Sequence, residues 1–241
     1  MKANEELIRL NEVKDNFLSS VSHELKTPLT SIKTYNQIIY NQILGPINNK
    51  QKEAINTILS SINCLEALIK NILDVSKYEA GKAEFNIELF DLNKIIPIVE
   101  KEFEPQLSTI QATLIINIAK KGVIIYADKQ KITQVFRNLI NNAIKYRSEK
   151  KLKIEINIKR TKKEVIISIR DNGIGISKEN QKNLFSKFYQ IDSGPARKTE
   201  GTGLGLFIIK HIVEGHSGNL NVISKLGKGT SFIIHLPVKK A

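Results

Sequence analysis

The stretch SVSHELKTPL, Ser20 to Leu29, decides how the opening part of the chain is read. It lies inside a long helical pattern, yet it sets a histidine beside a glutamate and places a proline five residues further on. At 100° per residue, Phe17, Val21, Leu25, Ile32 and Ile39 fall on one apolar stripe, and His23 projects about 180° from its centre, toward solvent. Thr27, Thr30 and Thr34 share that polar side, with Glu24 a quarter-turn away. Pro28 removes a backbone donor and its ring presses on the Glu24 carbonyl, at about 3 kcal/mol in a straight helix. A bend beside His23 is the expected result.

An exposed imidazole is largely neutral near pH 7 and attacks electrophiles through one ring nitrogen, while a neighbouring carboxylate takes the proton from the other. His23 and Glu24 have that chemistry and lack only the electrophile. No serine or cysteine nucleophile accompanies them in a triad pattern. HELKT is not the HExxH zinc motif, because Thr27 stands where the second histidine would be.

Working outward, residues 5–80 hold two helical patterns separated by ILGPINN, where Gly45 and Pro46 supply a turn. This predicts a helical hairpin. In its second helix Ile55, Ile58, Ile62, Leu65, Ile69 and Ile72 recur at alternating spacings of three and four, the seam of a coiled coil or bundle. Two helices alone bury little surface, so a homodimer forming a four-helix bundle is expected. SKYEAGKAEF closes the second helix, with Gly81 suited to a left-handed cap.

Beyond it the pattern changes. FNIELFDL, ATLIINIA, GVIIYA, KLKIEINIKR and EVIISIRD are enriched in β-branched residues, and the last two predict an antiparallel pair around Thr161 to Lys163. Helical stretches near 91–106, 128–147 and 203–215 and closing strands near 219–224 and 230–236 complete an α+β domain with helices on one face of a mixed sheet. The expected division is 1–83 for the hairpin and 84–241 for the second domain.

Composition narrows the function classes. Lysine and arginine outnumber acidic residues 37 to 24 over 241 residues, a net charge of +13. The charge is spread from Lys2 to Lys240 without aromatic interleaving or a DNA-binding motif, which argues against nucleic acid. No run approaches the roughly 18 apolar residues that cross a bilayer, and the start lacks a signal-peptide pattern, so the chain is expected to be soluble. Cys64, a lone cysteine on the second helix, forms no internal disulfide or metal cluster.

KITQVFRNLINNAIKY puts Ile132, Val135, Phe136, Leu139 and Ala143 on an apolar stripe and Asn138, Asn142 and Lys145 on the adjoining face. Asparagine is a mediocre helix former, but its amide oxygen suits Mg²⁺, and lysine neutralises phosphate. A polar solvated face is the plain alternative. DNGIGI, residues 171–176, offers the Asp171 carboxylate to an exocyclic amine such as that of adenine, while Gly173 and Gly175 let backbone approach a flat ligand. GTGLGLFIIKHIV sets Gly201, Gly203 and Gly205 at the opening of a helix, whose free amides face phosphates. It is neither a Walker loop nor GxGxxG. SKENQKNLFSKFYQIDSGPARKTE between them, polar and turn-rich after Phe188, reads as a mobile lid.

The order of these motifs, from His-Glu-x-x-Thr-Pro on a hairpin to the asparagine helix, DNGIGI, LFSKFY and GTGLGL, closely resembles the catalytic core of a sensor histidine kinase of two-component signalling, from about Lys14 to Pro237. The resemblance implies a dimeric helical hairpin followed by a Bergerat-type ATP-binding sandwich. His23 then matches the phosphoacceptor, Glu24 its general base, and Thr27 the position that orients water for dephosphorylating the regulator. Asn142 matches the principal Mg²⁺ ligand, with Asn138 and Lys145 near the phosphates and Tyr146 near the nucleoside. Asp171 matches the adenine-reading aspartate, Gly173 and Gly175 its glycines, and Phe185 and Phe188 the F box. Gly201, Gly203 and Gly205 match the phosphate-side glycines, and Ile176, Thr202 and Leu204 complete the nucleotide-binding set.

Two departures stand out. Gln190 follows the F-box aromatic where arginine is common, and Arg147 follows the Lys-Tyr pair where serine is common. The lid contact to phosphate is therefore either absent or supplied by Arg147, Arg197 or Lys198. The function implied is ATP- and Mg²⁺-dependent autophosphorylation of His23, transfer to an aspartate of a response regulator's receiver domain, and dephosphorylation of that regulator. An ATP-binding dimeric scaffold and a regulator phosphatase with little kinase activity stay open as alternatives. The resemblance further implies a cytoplasmic location, with membrane attachment only through a sensor region outside this sequence, so that the chain reads as a fragment of a longer kinase or an engineered core.

Overall fold

The structure, a computed structural model, describes residues 2–119, 122–191 and 202–238. It divides into two compact units, Met1–Ala83 and Glu84–Ala241.

The first unit is an antiparallel hairpin of α1 (Lys2–Tyr40) and α2 (Asn49–Glu79). Helix α1 runs through Pro28 without interruption. The turn uses Gly45 at φ 119°, a conformation that excludes side chains. Asn48 starts α2 with a reciprocal capping box: its side chain accepts from the Gln51 N–H at 2.9 Å, and the Gln51 side chain accepts from the Asn48 N–H at 2.8 Å. At the other end Gly81 sits at φ 64°, the Lys82 N–H donates to the Lys77 carbonyl at 2.9 Å, and the Gly81 N–H to Tyr78 at 3.2 Å. This is the Schellman closure expected of Gly81.

The heptad seam of α2 splits into two halves. Ile55 and Ile62 are buried, while Ile58, Leu65 and Ile72 are 43%, 43% and 39% exposed. The stripe on α1 departs from its expected role: Phe17, Leu25 and Ile32 are exposed, and among the described residues of this helix the buried ones are Ser22 and Leu29. A helix touching one neighbour covers only one side, so most of the stripe stays open. Lys33 donates to Glu66 at 2.7 Å, a half-buried pair joining the two helices.

In the second unit β1 (Glu88–Asp91) pairs antiparallel with β3 (Ile124–Ala127) as a separate two-stranded sheet. Between them come α3 (Leu92–Thr109) and β2 (Thr113–Ile118). After β3 follow α4 (Lys129–Lys145), β4 (Lys153–Arg160), β5 (Glu164–Asp171), α5 (Lys178–Gln181), α6 (Gly205–Gly215), β6 (Asn219–Lys225) and β7 (Gly229–Pro237). The main sheet has the order β2-β4-β5-β7-β6, parallel between β2 and β4 and antiparallel elsewhere. Strict alternation builds its core. Ile154, Ile156, Ile158, Val165, Ile167, Ile169, Phe232, Ile234 and Leu236 are buried, and their strand neighbours are half-buried or exposed. The buried stripe of α4 (Ile132, Val135, Phe136, Leu139) and that of α6 (Ile208, Ile209, Ile212, Val213) complete this core. Each such side chain contributes about 1.5–3 kcal/mol. The result is the α+β arrangement that the pattern of strands and helices predicts.

Candidate active site

On α1, His23, Glu24 and Thr27 are all exposed, on a surface next to the buried Ser22. The Thr27 hydroxyl donates to the His23 carbonyl at 3.3 Å, and Thr30 and Thr34 bond back one turn in the same way at 2.8 Å each. Pro28 leaves the Glu24 carbonyl without its helical N–H donor. The imidazole and the carboxylate are thus open to an incoming group.

In the second unit, Asn138, Asn142, Lys145 and Tyr146 are all half-buried, whereas Asn141 is exposed. The Nδ2 of Asn138 is buried and has no acceptor among the described residues. Buried amides rarely go unpaired, so this atom marks a place for an outside acceptor. Gly205 opens α6 beside it: a Cβ there would lie 3.9 Å from Asn138 Cγ. Leu204, the residue before α6, provides no side-chain cap, so the first-turn N–H groups are left for a ligand. The Lys145 ammonium lies 4.7 Å from the centre of the Tyr146 ring.

The loop 171–176 is fastened on both sides. The Ile174 N–H donates to the Tyr146 carbonyl at 3.0 Å, tying the loop to the end of α4. A Cβ on Gly173 would collide with that same carbonyl, and one on Gly175, at φ 69°, with the Lys225 carbonyl. The Ile176 N–H donates to Ser224 Oγ at 2.8 Å. Asp171 Oδ1 accepts from the Gly173 N–H at 2.8 Å and the Thr230 N–H at 3.3 Å. Its Oδ2 has no donor among the described residues. Burial raises the Asp171 carboxyl above its ordinary value, opposed by the two backbone N–H bonds and by Arg170. One oxygen is therefore occupied by the protein, and the other is poorly solvated and ready to accept a hydrogen bond.

Around the glycine-rich turn, the Thr202 hydroxyl accepts from the Leu204 N–H at 3.4 Å, and Leu204 is buried. Gly203, at φ 70°, touches the backbone of Phe188: a Cβ there would lie 2.6 Å from the Phe188 carbonyl carbon. Phe188 itself has φ 59° and an exposed ring, an uncommon conformation for a bulky residue. Phe185 is half-buried. Gly201, Arg197, Lys198 and the predicted lid from 192 onward lie outside the described residues. Arg147 donates through Nη1 to the Ile144 carbonyl at 3.0 Å, closing α4.

The structure thus places Asp171 and Gly173 beside Tyr146 at the end of α4, and Gly205 beside Asn138 about two turns earlier on the same helix. It adds two groups that sequence reasoning missed, the Thr230 N–H and the Tyr146 carbonyl. Neither carries a sequence signal, because a backbone group's role depends on strand register and on how the chain folds back. The acceptor Asp171 Oδ2, the unpaired Asn138 amide and the free amides of α6 fit an adenine nucleotide. Asn142, on the same helix, offers the amide oxygen that a hard cation takes.

Residues 13–81 match the His Kinase A (phospho-acceptor) domain, and residues 127–240 the Histidine kinase-, DNA gyrase B-, and HSP90-like ATPase. The chain is 32% identical over 233 residues to sensor protein RprX of Bacteroides fragilis, covering 96% of this chain and 45% of RprX. It is 34% identical over 228 residues to sensor protein SrrB of Staphylococcus aureus, covering 95% of this chain and 39% of SrrB. Among solved structures, Acinetobacter baumannii histidine kinase AdeS superposes with TM-score 0.63 at 25% identity, over 90% of this chain and 98% of AdeS. Full-length ShkA, crystallised with AMPPNP, shares the fold with TM-score 0.76 at 22% identity, over 94% of this chain and 46% of ShkA. A phospho-acceptor domain followed by an ATPase domain of this type defines a protein histidine kinase. The chain belongs to the sensor histidine kinases of two-component signalling and holds their catalytic core. It spans less than half the length of RprX and SrrB. No helix among the described residues is long and apolar enough to cross a membrane.

Proposed function

We propose that this chain uses ATP to phosphorylate its own His23 and passes the phosphoryl group to an aspartate in the receiver domain of a response regulator. The observation that carries this reading is the presence in one chain of two complementary half-sites. One is an exposed imidazole beside a carboxylate on α1, and the other is the nucleotide-shaped set around Asp171 and Asn138.

Asp171 Oδ2 accepts a hydrogen bond from the adenine amine, with Gly173, Gly175 and Ile176 giving the flat base its backbone surface and Tyr146 lying near the nucleoside. Asn138, Lys145 and the amides of Gly203 and Gly205 hold the phosphates, and Phe188, Thr202 and Leu204 close the phosphate side. Asn142, with Asn138 beside it, would hold Mg²⁺, which when bound neutralises phosphate charge. In the transfer, a lone pair on one ring nitrogen of His23 forms the N–P bond. The bond from the γ-phosphorus to the bridging oxygen breaks and ADP leaves. Glu24 takes the proton from the other ring nitrogen. Positioning and charge stabilisation supply most of the acceleration.

In the reverse direction, Thr27 positions a water for dephosphorylating the regulator. The open half of the α2 seam and the open stripe of α1 support a homodimer, since two such hairpins bury each other's apolar faces as a four-helix bundle. The need for ATP places the chain in the cytoplasm.

Incubation with γ-labelled ATP and Mg²⁺ tests the reading. The expected product is an acid-labile, base-stable label that His23→Gln abolishes. Label that survives the substitution removes His23 as the acceptor. No label, with ATP still bound, would leave a scaffold, or a phosphatase where a phosphorylated regulator is also dephosphorylated.

A further inference from the structure

His216 lies beyond every motif discussed so far, directly after α6, and is 6% exposed. Both ring nitrogens are engaged. Nδ1 lies 2.7 Å from the Ile212 carbonyl, and Nε2 lies 2.8 Å from the backbone N–H of Asp128. A backbone N–H only donates, so Nε2 must be the bare acceptor and Nδ1 must carry the proton. The ring is thus fixed as one neutral tautomer.

Asp128 is the N-cap of α4: its Oδ1 accepts from the Lys131 N–H at 3.0 Å and its Oδ2 from the Asn86 N–H at 3.0 Å. His216 therefore bonds the N-cap residue of the asparagine helix to a carbonyl in the last turn of the glycine-started helix. At the opposite end of α6, Gly205 meets Asn138. Besides their shared buried stripes, the two helices that carry the nucleotide-binding groups approach each other at Gly205 and Asn138 and are hydrogen-bonded through a single imidazole.

We propose that His216 is a positioning residue for nucleotide binding: its neutral ring sets the placement of α4 against α6, and with it the spacing between Asn138 and the amides of Gly203 and Gly205. The proposal rests on the nucleotide site described above. Protonation turns Nε2 into a donor facing the Asp128 N–H, which breaks the link. Burial holds His216 below the usual imidazole range, opposed by the Ile212 carbonyl and the Asp128 carboxylate. The Phe85 ring meets His216 edge-on with centroids 5.0 Å apart, and on α6 Glu214 lies 3.8 Å from Lys210 and 3.7 Å from the His211 ring.

ATP titrations of the whole chain at about pH 7.5 and at a second pH well below the ordinary imidazole range, because burial holds His216 under that range, test this. His216→Phe keeps an aromatic ring but strands the Asp128 N–H, and is expected to weaken ATP binding roughly tenfold at the higher pH. His216→Gln offers an amide oxygen to that N–H and cannot be charged. It is expected to bind within about threefold of wild type at the higher pH and to lose less affinity on acidification. Comparing it with wild type cancels the titration of ATP itself and of Asp171. Nitrogen-15 shifts of the imidazole, expected to report a protonated Nδ1, give a reading that needs no variant to fold. A folded Phe variant that binds like wild type, a Gln variant that follows wild type through acidification, or a protonated Nε2 in the neutral protein overturns the proposal. Wild type that binds no ATP at either pH overturns the nucleotide site and this proposal together, whereas wild-type binding with unaffected variants overturns this proposal alone.

Discussion

Asp171 is a carboxylate with its two oxygens assigned to different tasks. Oδ1 holds the loop through the Gly173 and Thr230 N–H groups, and Oδ2 waits for a donor. Because burial raises its folded value above the unfolded 3.8, ionisation works against stability as pH rises from there through the folded value, and stability due to this group is full only below 3.8. A ligand amine favours the ionised form, so ATP affinity is expected to fall as pH drops through that raised value. Asp171→Asn keeps an oxygen for the two backbone donors and removes the buried charge, but an amide NH₂ can then face the adenine amine. Melting temperature should hold or rise while ATP affinity falls about a hundredfold or more. Thermal melts and ATP titrations on the same samples check this. Both quantities falling together would mean that Asp171 only supports the fold. The sequence made Asp171 legible as an acceptor, but not which oxygen remains open, because Thr230 reaches it through the β5–β7 register.

At the level of elements, local chemistry was the most readable. Gly81, the α4 stripe and the β4–β5 turn behave as their residues dictate. The capping box at Asn48 and Gln51 was legible too, as a side chain three residues ahead of its partner, but it was overshadowed by the nearby Gly-Pro turn. The separate pairing of β1 with β3 was not legible, since β-branched content does not say which strand meets which. The α1 stripe was read from periodicity, and periodicity marks an apolar face without naming what covers it. Pro28 is the conflict at this level, a helix residue without a donor one turn after Glu24. Pro28→Ala restores the N–H and is expected to stabilise the hairpin by up to about 3 kcal/mol, and to slow both phosphorylation of His23 and dephosphorylation of the regulator if bending of α1 serves those steps. Rates equal to wild type, with only the melting temperature raised, would reduce the proline to a local stability defect.

For the whole molecule, the proposed homodimer rests on the hairpin and not on the second unit. The exposed Ile58, Leu65 and Ile72 sit on the same heptad seam as the buried Ile55 and Ile62, so half of a continuous apolar surface is uncovered. Ile58→Glu with Leu65→Glu is expected to give a monomer by light scattering, with reduced helical signal, while ATP binding stays within about twofold of wild type because the nucleotide-binding residues belong to the other compact unit. A double variant that remains dimeric would place the dimer contact elsewhere.

The order of strands also bears on when the enzyme becomes competent. Strand β7 lies between β5 and β6, and the Thr230 N–H that holds Asp171 comes from its first residues. Domains emerge from the ribosome N-terminal end first. The hairpin bearing His23 is therefore exposed while the adenine pocket still lacks its last strand. On the proposed reading, a nascent chain presents the phosphoryl acceptor before its donor site is complete, so translation through β7 would separate synthesis of the acceptor from its first phosphorylation.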